Sequence, residues 1–524
     1  MISETPTQKR SSAPKAVVIG GGATGCAVAR DLALRGFHVS LIERGDLGTG
    51  TSSRFHGMLQ SGARYAVSDT GYAGECMRER KIVAELLPHA VEPVGGLFVS
   101  LEEDQAAYAE SFIAGCRGAQ IPVEELDPDS VMKREPALSR QINRVFAVPD
   151  ATINPWWLVN ALADDVRRRG GSILLHHHVT AINKSDSGAI RVAVNGPGGP
   201  STLETDIVIN ASGAWSGYVA ALAGQTIDLE LTKGSIIVLA HRAVGQVINR
   251  CRYPASHDII VPTGTISLFG TTSEVVGDAG TTAVRSEEIQ ELLEGAAPLI
   301  PKIREFGFLR AWAGVRPLVK PHDWPSGKAV PRRHRVIDHG DTGFAGLFTV
   351  CGGSLTTHRS MAEDVANQIC QQLKWNAPCE TATTPFEGKS RKFWQPTASF
   401  ARAESSAGRP QQACECEAVE VAELKAAISN GIVHMHDLRR RLRIGFGPCQ
   451  GTFCGVRTAQ LLASANVSGQ HEGELSDFWK ERLKGMALIA WGKQARQILL
   501  SEHVHCKLLG LVAESGTMPK PEIP

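Results

Sequence analysis

The spacing of apolar positions changes twice between Lys15 and Arg44, in KAVVIGGGATGCAVARDLALRGFHVSLIER. A continuous apolar run of strand length is broken by three glycines, apolar residues then recur at helical spacing, and HVSLI resumes a strand-like run. This predicts one strand–helix–strand unit at the start of the chain. Further on, HHHVTAI (His176 to Ile182) reads as a strand, and DIVINASGAW (Asp206 to Trp215) as a strand ending in a glycine turn. Between Cys379 and Cys414 the pattern fades. The stretch ETATTPFEGKSRKFWQPTASFARAESSAGRPQQ has few aliphatic residues and much Ser, Thr, Ala and Pro, the composition of a linker. Helical periodicity returns in VEVAELKAAISNGI and FWKERLKGMALIAWGKQARQILLSEHV. The expected domains are a body over 15–379, a linker over 380–412 and a small, mainly helical C-terminal domain over 413–510, between tails at 1–14 and 511–524.

Length and charge exclude some classes of function. With 524 residues, 43% hydrophobic and 21% charged, the chain can bury an ordinary core in two or three domains. A formal net charge of +1 provides no overall field for nucleic acid or an anionic membrane, so a charged ligand must be met locally. Residues 1–15 are polar, and nowhere do about 18 apolar residues follow one another, so the expectation is a soluble, cytoplasmic protein. In that compartment twelve cysteines do not read as a disulfide framework. Eight of them (Cys26, Cys76, Cys116, Cys251, Cys351, Cys370, Cys379 and Cys506) lie singly among apolar or small neighbours and are expected as small core residues.

The first turn carries chemistry. Gly20, Gly22 and Gly25 fit GxGxxG, in which the first glycine permits a tight turn, the second lets backbone approach a pyrophosphate and the third lets helix pack on strand. Glu43, at the end of the second strand, is placed to accept hydrogen bonds from an adenosine ribose. These features point to a dinucleotide. The residues beyond the second strand favour FAD over NAD: GTGTSSRFHGMLQSGARYAV, with Thr51, Ser52 and Ser53, is rich in the small hydrogen-bonding residues that a flavin needs, where an NAD domain would continue into another strand–helix unit. The three histidines at 176–178 do not suggest a metal, because neighbours on a strand point to alternate faces.

The ordered series GGGATG, SGARYAV, VINRCR, ISLFGTTS, AGVRPLV and GGSLTTHR resembles the FAD-dependent glycerol-3-phosphate dehydrogenases over nearly the whole chain, most closely the A subunits of the anaerobic enzymes. The resemblance implies an α/β fold, with a glutathione-reductase-type FAD-binding domain and a substrate domain whose antiparallel sheet covers the flavin. It implies hydride transfer from a secondary alcohol carbon to the flavin. It also implies a cofactor site that adds Thr51, Ser52, Ser53, Val179, Gly213, Gly353, Ser354, Leu355 and Thr356 to Gly20, Gly22, Gly25 and Glu43. Such chemistry needs a base near the hydroxyl and a cationic clamp on the substrate's phosphate or carboxylate, for which the planar fork of arginine suits best. Matching the family's motifs gives Arg316 in GVRPL as the first candidate, then Arg64 in GARY and Arg332 in VPRR. The competing reading of each is a surface ion pair. Two departures from the family bear on substrate and base. This chain has Gln60 where the family has a histidine, and GGSLTTHR, with Ser354 and His358, where the family reads GGKLTTYR. His56 and His358 are the remaining candidates for the base.

The C-terminal domain holds four cysteines in the pattern Cys-x-Cys, 32 residues, Cys-x4-Cys: Cys414, Cys416, Cys449 and Cys454. Structural zinc, a two-iron two-sulfur cluster and plain thiols are the competing readings. Cys-x-Cys is unusual for zinc, while glycine-rich turns such as GFGPCQGTFCGVR leave backbone N–H groups for cluster sulfurs. The region resembles the bacterioferritin-associated-ferredoxin-like cluster domain, which implies a 2Fe-2S cluster on these four residues. The basic run DLRRRLRIG (Asp437 to Gly445) reads either as a solvated helix face or as positive charge for a cluster or an acidic partner. The expectation is an FAD-dependent dehydrogenase subunit that oxidises a small anionic alcohol and passes electrons through the cluster to a partner redox subunit, through which it could sit at the inner membrane. An amine or hydroxy-acid dehydrogenase and a non-catalytic electron-transfer subunit are the alternatives.

Overall fold

The apolar run at Lys15–Ile19 forms a strand whose side chains are buried on both faces, as a parallel sheet between helices requires. This computed structural model describes residues 13–185, 188–320, 330–387, 411–465 and 471–504. Nearly all of the two expected tails, linker residues 388–410 and Cys506 lie outside the described residues. The chain divides into two compact units, Met1–Gly50 with Val159–Glu230 and Pro317–Glu387, and Thr51–Leu158 with Leu231–Arg316 and Gly388–Pro524.

In the first unit six strands are ordered Arg335–Asp338, Leu347–Cys351, Ile207–Asn210, Lys15–Ile19, His38–Ile42 and Ser172–Leu174. All neighbours are parallel except the first pair. The helices Ala23–Leu34 and His358–Leu373 pack together in this unit. A separate antiparallel sheet, His178–Lys184, Ile190–Gly196 and Gly199–Thr205, lays Val179, Ile182, Val192 and Val194 in one core with Val17 and Ile42. The strand expected from His176 starts at His178. His176 is in a left-handed turn (φ +57°), which ends the short parallel strand Ser172–Leu174 and starts a new one.

His358 opens the helix His358–Leu373, 3% exposed, with Nδ1 2.7 Å from the Leu355 carbonyl. Burial pushes its pKa down from 6.5 to about 4, so the ring is neutral in the folded protein.

The second unit is built on a mainly antiparallel sheet ordered Glu274–Val276, Leu229–Leu239, Ile266–Gly270, Ile259–Thr263, Val247–Arg250, Gly96–Leu101, Ile142–Val148 and Glu124–Leu126, with Phe308–Val319 also paired to Leu229–Leu239. Ile289, Leu292 and Leu293 of the amphipathic helix Ser286–Ala296 share a core with Ile237, Leu239, Ile248 and Phe269. Met486, Ile489 and Ile498 from the C-terminal region join the same core, and Ala311 N donates to the Gly485 carbonyl at 3.2 Å. The helical C-terminal region thus shares packing with the sheet of this unit. Its own core gathers Leu424, Leu438, Leu462, Phe478 and Trp479 from the helices Val421–Ser429, Met435–Leu442, Cys454–Ser464 and His471–Leu483. Phe478 is fully buried, and Gly445, Gly451 and Gly455 face its ring so closely that a Cβ on any of them would lie within 3.0 Å of it. Among the described residues, no helix is long and apolar enough to cross a membrane.

This packing can be tested at two side chains. As pH falls, the unfolded chain protonates residue 358 near pH 6.5, whereas the native ring resists until about 4. Its contribution is therefore intact above about pH 6.5 and declines by up to about 3 kcal/mol on the way to pH 4. Unfolding of H358N, measured between about pH 4.5 and 6.5, should show a flatter dependence on pH; an unchanged slope would contradict this. F478A should cost about 3–5 kcal/mol in urea unfolding followed by tryptophan fluorescence. A cost below about 1 kcal/mol would mean that the glycine turns do not rest on this ring.

Candidate active site and cysteine centre

The glycine turn of the first unit is fixed by contacts that no side chain could survive. A Cβ at Gly25 would stand 1.9 Å from the Gly20 carbonyl oxygen, and one at Gly20 (φ +113°) would stand 2.6 Å from that of Ala211. This brings the GGGATG turn against Ala211 and Ser212, next to Gly213 (φ +59°). Gly22 is the N-cap of the helix Ala23–Leu34 and puts no side chain of its own across the first turn, where a pyrophosphate would be met by backbone N–H groups. Glu43 accepts from Gly21 N at 2.7 Å and from Gly45 N at 2.9 Å, so its carboxylate is held at the mouth of the turn with lone pairs remaining for hydroxyls. Met361 links a third segment: its sulfur lies 3.8 Å from Thr24 Oγ1, and a Cβ at Gly353 would meet it at 2.6 Å. Ser354, Leu355 and Thr356 follow at the head of the helix that His358 begins, with Ser354 N donating to Thr357 Oγ1 at 3.2 Å. These segments form a cradle suited to a dinucleotide. Val179 differs in that its side chain is buried in the core of the antiparallel sheet, so only its backbone can face a ligand. Arg332, half-buried before the strand Arg335–Asp338, also belongs to the first unit.

In the second unit, Thr51 Oγ1 donates to the Val315 carbonyl at 2.5 Å, running the turn Thr51–Ser53 beside Arg316. Arg316 Nη2 donates to Thr271 Oγ1 at 2.5 Å and, at 3.4 Å, to the Thr272 carbonyl, both neutral acceptors. Arg64 donates to the Ala255 carbonyl at 2.9 Å and lies 3.5 Å from Asp258. Asp258 precedes the strand Ile259–Thr263, Thr271 follows Ile266–Gly270, and Ile259 pairs with Gly270. The two arginines therefore approach the same end of one hairpin. Thr271, Thr272 and Asp258 complete this arrangement, and the sequence showed them only within ISLFGTTS and as an unremarked aspartate. His56 Nδ1 accepts from Met58 N at 3.2 Å, which makes Nε2 the donor nitrogen of the ring. Gln60 is buried with its amide 3.8 Å from the Cys76 sulfur.

The four cysteines of the C-terminal region meet across the two sequence pairs. Cys416 Sγ lies 3.6 Å from Cys449 Sγ, and Cys414 is hydrogen-bonded to Cys454. The hydrogen bond from Cys416, joined by backbone N–H groups of Gly451, Thr452 and Phe453, lowers the Cys449 thiol to about 6; the same sharing raises Cys416. In the second pair the bond lowers Cys414 and raises Cys454. In each pair the shared hydrogen bond favours the thiolate on one sulfur over the other, and metal binding would release the protons that remain. A tetrahedral zinc would require all four sulfurs at mutual distances of about 3.8 Å. Among the described residues, no three His, Cys, Asp or Glu side chains converge as a single ion would require. Two thiol pairs backed by N–H groups instead fit two irons, each taking two thiolates. The basic run is not a solvated face: Arg439 and Arg443 are buried, and Arg443 pairs with Glu417 at 2.7 Å.

Comparison with known proteins finds a family for each of the two regions. The family described as FAD dependent oxidoreductase matches residues 15–368, and that described as BFD-like [2Fe-2S] binding domain matches residues 413–464. The chain is 38% identical to the A subunit of the anaerobic glycerol-3-phosphate dehydrogenase of Escherichia coli (strain K12), over 96% of this chain and 98% of that one. It is 34% identical to the corresponding A1 subunit of Haloferax volcanii, over 94% and 90%. The solved glycerol-3-phosphate dehydrogenase of Bacillus halodurans, complexed with FAD, shares the fold with a TM-score of 0.59 at 21% identity, covering 94% of this chain and 90% of that one. A glycine turn backed by Glu43, an α/β FAD-oxidoreductase fold and a four-cysteine region of the BFD-like type mean that this chain belongs to the FAD-dependent oxidoreductases, in the family of the anaerobic glycerol-3-phosphate dehydrogenase A subunits.

Proposed function

We propose that this protein oxidises glycerol 3-phosphate, or a closely related small alcohol phosphate, and delivers the electrons to a partner subunit. The observation that carries the reading is that one chain combines the Glu43-backed glycine turn with two N–H-backed thiol pairs. When bound, FAD supplies a hydride acceptor and the two-iron two-sulfur cluster a one-electron outlet. The domains run as a discontinuous, D-amino-acid-oxidase-like FAD-binding and substrate domain over 15–379, whose FAD-binding part is of glutathione-reductase type, and a cluster domain over 413–510, with 380–412 as linker. Gly20, Gly22, Gly25 and Glu43 hold the adenosine diphosphate half of the flavin nucleotide, and Thr51, Ser52, Ser53, Val179, Gly213, Gly353, Ser354, Leu355 and Thr356 surround the rest. Cys414, Cys416, Cys449 and Cys454 hold the irons.

Arg316 clasps the substrate phosphate. Its bonds to the Thr271 hydroxyl and the Thr272 carbonyl aim the guanidinium, whose planar fork suits an oxyanion. Arg64, tied to Asp258, supports the same end of the hairpin. His56 donates from Nε2 to a substrate oxygen. To take up the alcohol proton it would have to use Nδ1 and give up its bond from Met58 N. His358, buried and neutral, holds its turn rather than acting as the base. The relatives are named as A subunits, which supports a multisubunit assembly. Phe453, 61% exposed beside Cys454, offers a partner an apolar contact next to the thiols, and a membrane-associated partner would carry this chain to the bilayer surface.

The test is anaerobic addition of substrate to the FAD-loaded protein. Glycerol 3-phosphate should bleach the flavin absorbance, whereas glycerol and glycine should not; bleaching by glycine alone would replace the reading with an amine dehydrogenase. R316A should raise the concentration for half-reduction by about 10- to 100-fold, the value of a charge-assisted pair, with FAD retained. Unchanged half-reduction would remove Arg316 from the site.

A further inference from the structure

Gly234 lies inside the strand Leu229–Leu239, buried, in a backbone conformation open to any residue. Glycine in a strand interior loses entropy and packs nothing, so its presence calls for a local reason. The three atoms nearest to a Cβ built there all belong to one side chain: Arg316 Nη2 at 2.2 Å, Cζ at 2.7 Å and Nη1 at 2.8 Å. Arg316 belongs to the strand Phe308–Val319, which pairs with Leu229–Leu239.

The neighbours of Gly234 are held from the other face. Successive strand residues alternate in direction, and Lys233 and Ser235 both reach Glu288 of the helix Ser286–Ala296, at 2.9 and 2.7 Å. Glu288 also accepts from Thr272 Oγ1 at 3.1 Å, and Thr272 Oγ1 accepts from Ser235 N at 2.9 Å. The Thr272 carbonyl is an acceptor for Arg316. One buried carboxylate therefore fixes both walls of the place where the guanidinium rests: the strand at 233–235 and the Thr271–Thr272 turn.

We propose that Gly234 is a positioning residue for the substrate clamp. Its missing side chain is the slot in which the Arg316 guanidinium lies, with its plane set toward the phosphate of the substrate. This inference rests on the reading of Arg316 as that clamp. A methyl group at 234 meets only the far end of a flexible side chain, so G234A should displace the arginine and leave the fold intact.

The test uses the full-length, FAD-loaded protein with glycerol 3-phosphate and the variants G234A, R316A and G234A/R316A. G234A should raise KM about tenfold or more, with thermal midpoint and FAD content close to those of the parent. In the R316A background the same alanine should change KM by less than about twofold, because the group it displaces is gone. If G234A fails to fold but the double variant folds with the kinetics of R316A, the contact is equally established. A parental KM in G234A, an equal penalty in both backgrounds, or failure of both alanine variants to fold would overturn the inference and make Gly234 a residue of the strand alone. A parental KM in R316A would instead remove the clamp itself, a different failure, read from a different protein.

Discussion

The sites of this chain depend on backbone coming closer than a Cβ permits. At Gly25 a Cβ would stand 1.9 Å from the Gly20 carbonyl oxygen, and its absence lets the helix Ala23–Leu34 press against the turn. The same constraint recurs at Gly447, where a Cβ would stand 2.2 Å from that of Cys416, so the two cysteine loops can bring their thiols together. In each case a missing side chain sets the separation of two backbone segments, and that separation decides which functional groups can meet.

Charge is handled by pairing inside and restraint at the site. Three buried cations have carboxylates at hydrogen-bond distance: Arg35 with Asp31, Lys233 with Glu288 and Arg443 with Glu417. Removing one partner of such a pair would leave a costly uncompensated charge, so these pairs fix geometry more than they add stability. Arg316 donates to a threonine hydroxyl and a carbonyl, which fix the direction of its guanidinium. The thiols are paired as well, each pair sharing a hydrogen bond that favours the thiolate on one sulfur.

What the sequence disclosed was local. The opening strand–helix–strand unit was legible because its period changes within one stretch of chain, and the glycine turn because its spacing is tied to a defined close approach. The histidines at 176 and 177 were misread as strand because the left-handed φ of His176 is set by the fold, against the preference of its neighbours for extended structure. The four cysteines were legible as a centre, but their partners were not: the thiols pair between the loops, Cys416 with Cys449 and Cys414 with Cys454, not within each motif. The basic run read equally as a solvated face because burial of Arg439 and Arg443 depends on Glu417 and on packing far along the chain. Gly234 gave no signal, since its meaning lies in a cross-strand neighbour.

The central claim is that electrons taken from the substrate at the flavin leave through the cysteine centre of the same chain. Freeze-quenched paramagnetic resonance after anaerobic mixing with glycerol 3-phosphate tests it directly, with flavin absorbance followed in parallel. The account predicts that the flavin bleaches first and that the signal of a reduced two-iron cluster then appears, and that C449S keeps the bleaching and loses the signal. Full flavin reduction with an iron-loaded centre that stays oxidised would contradict it.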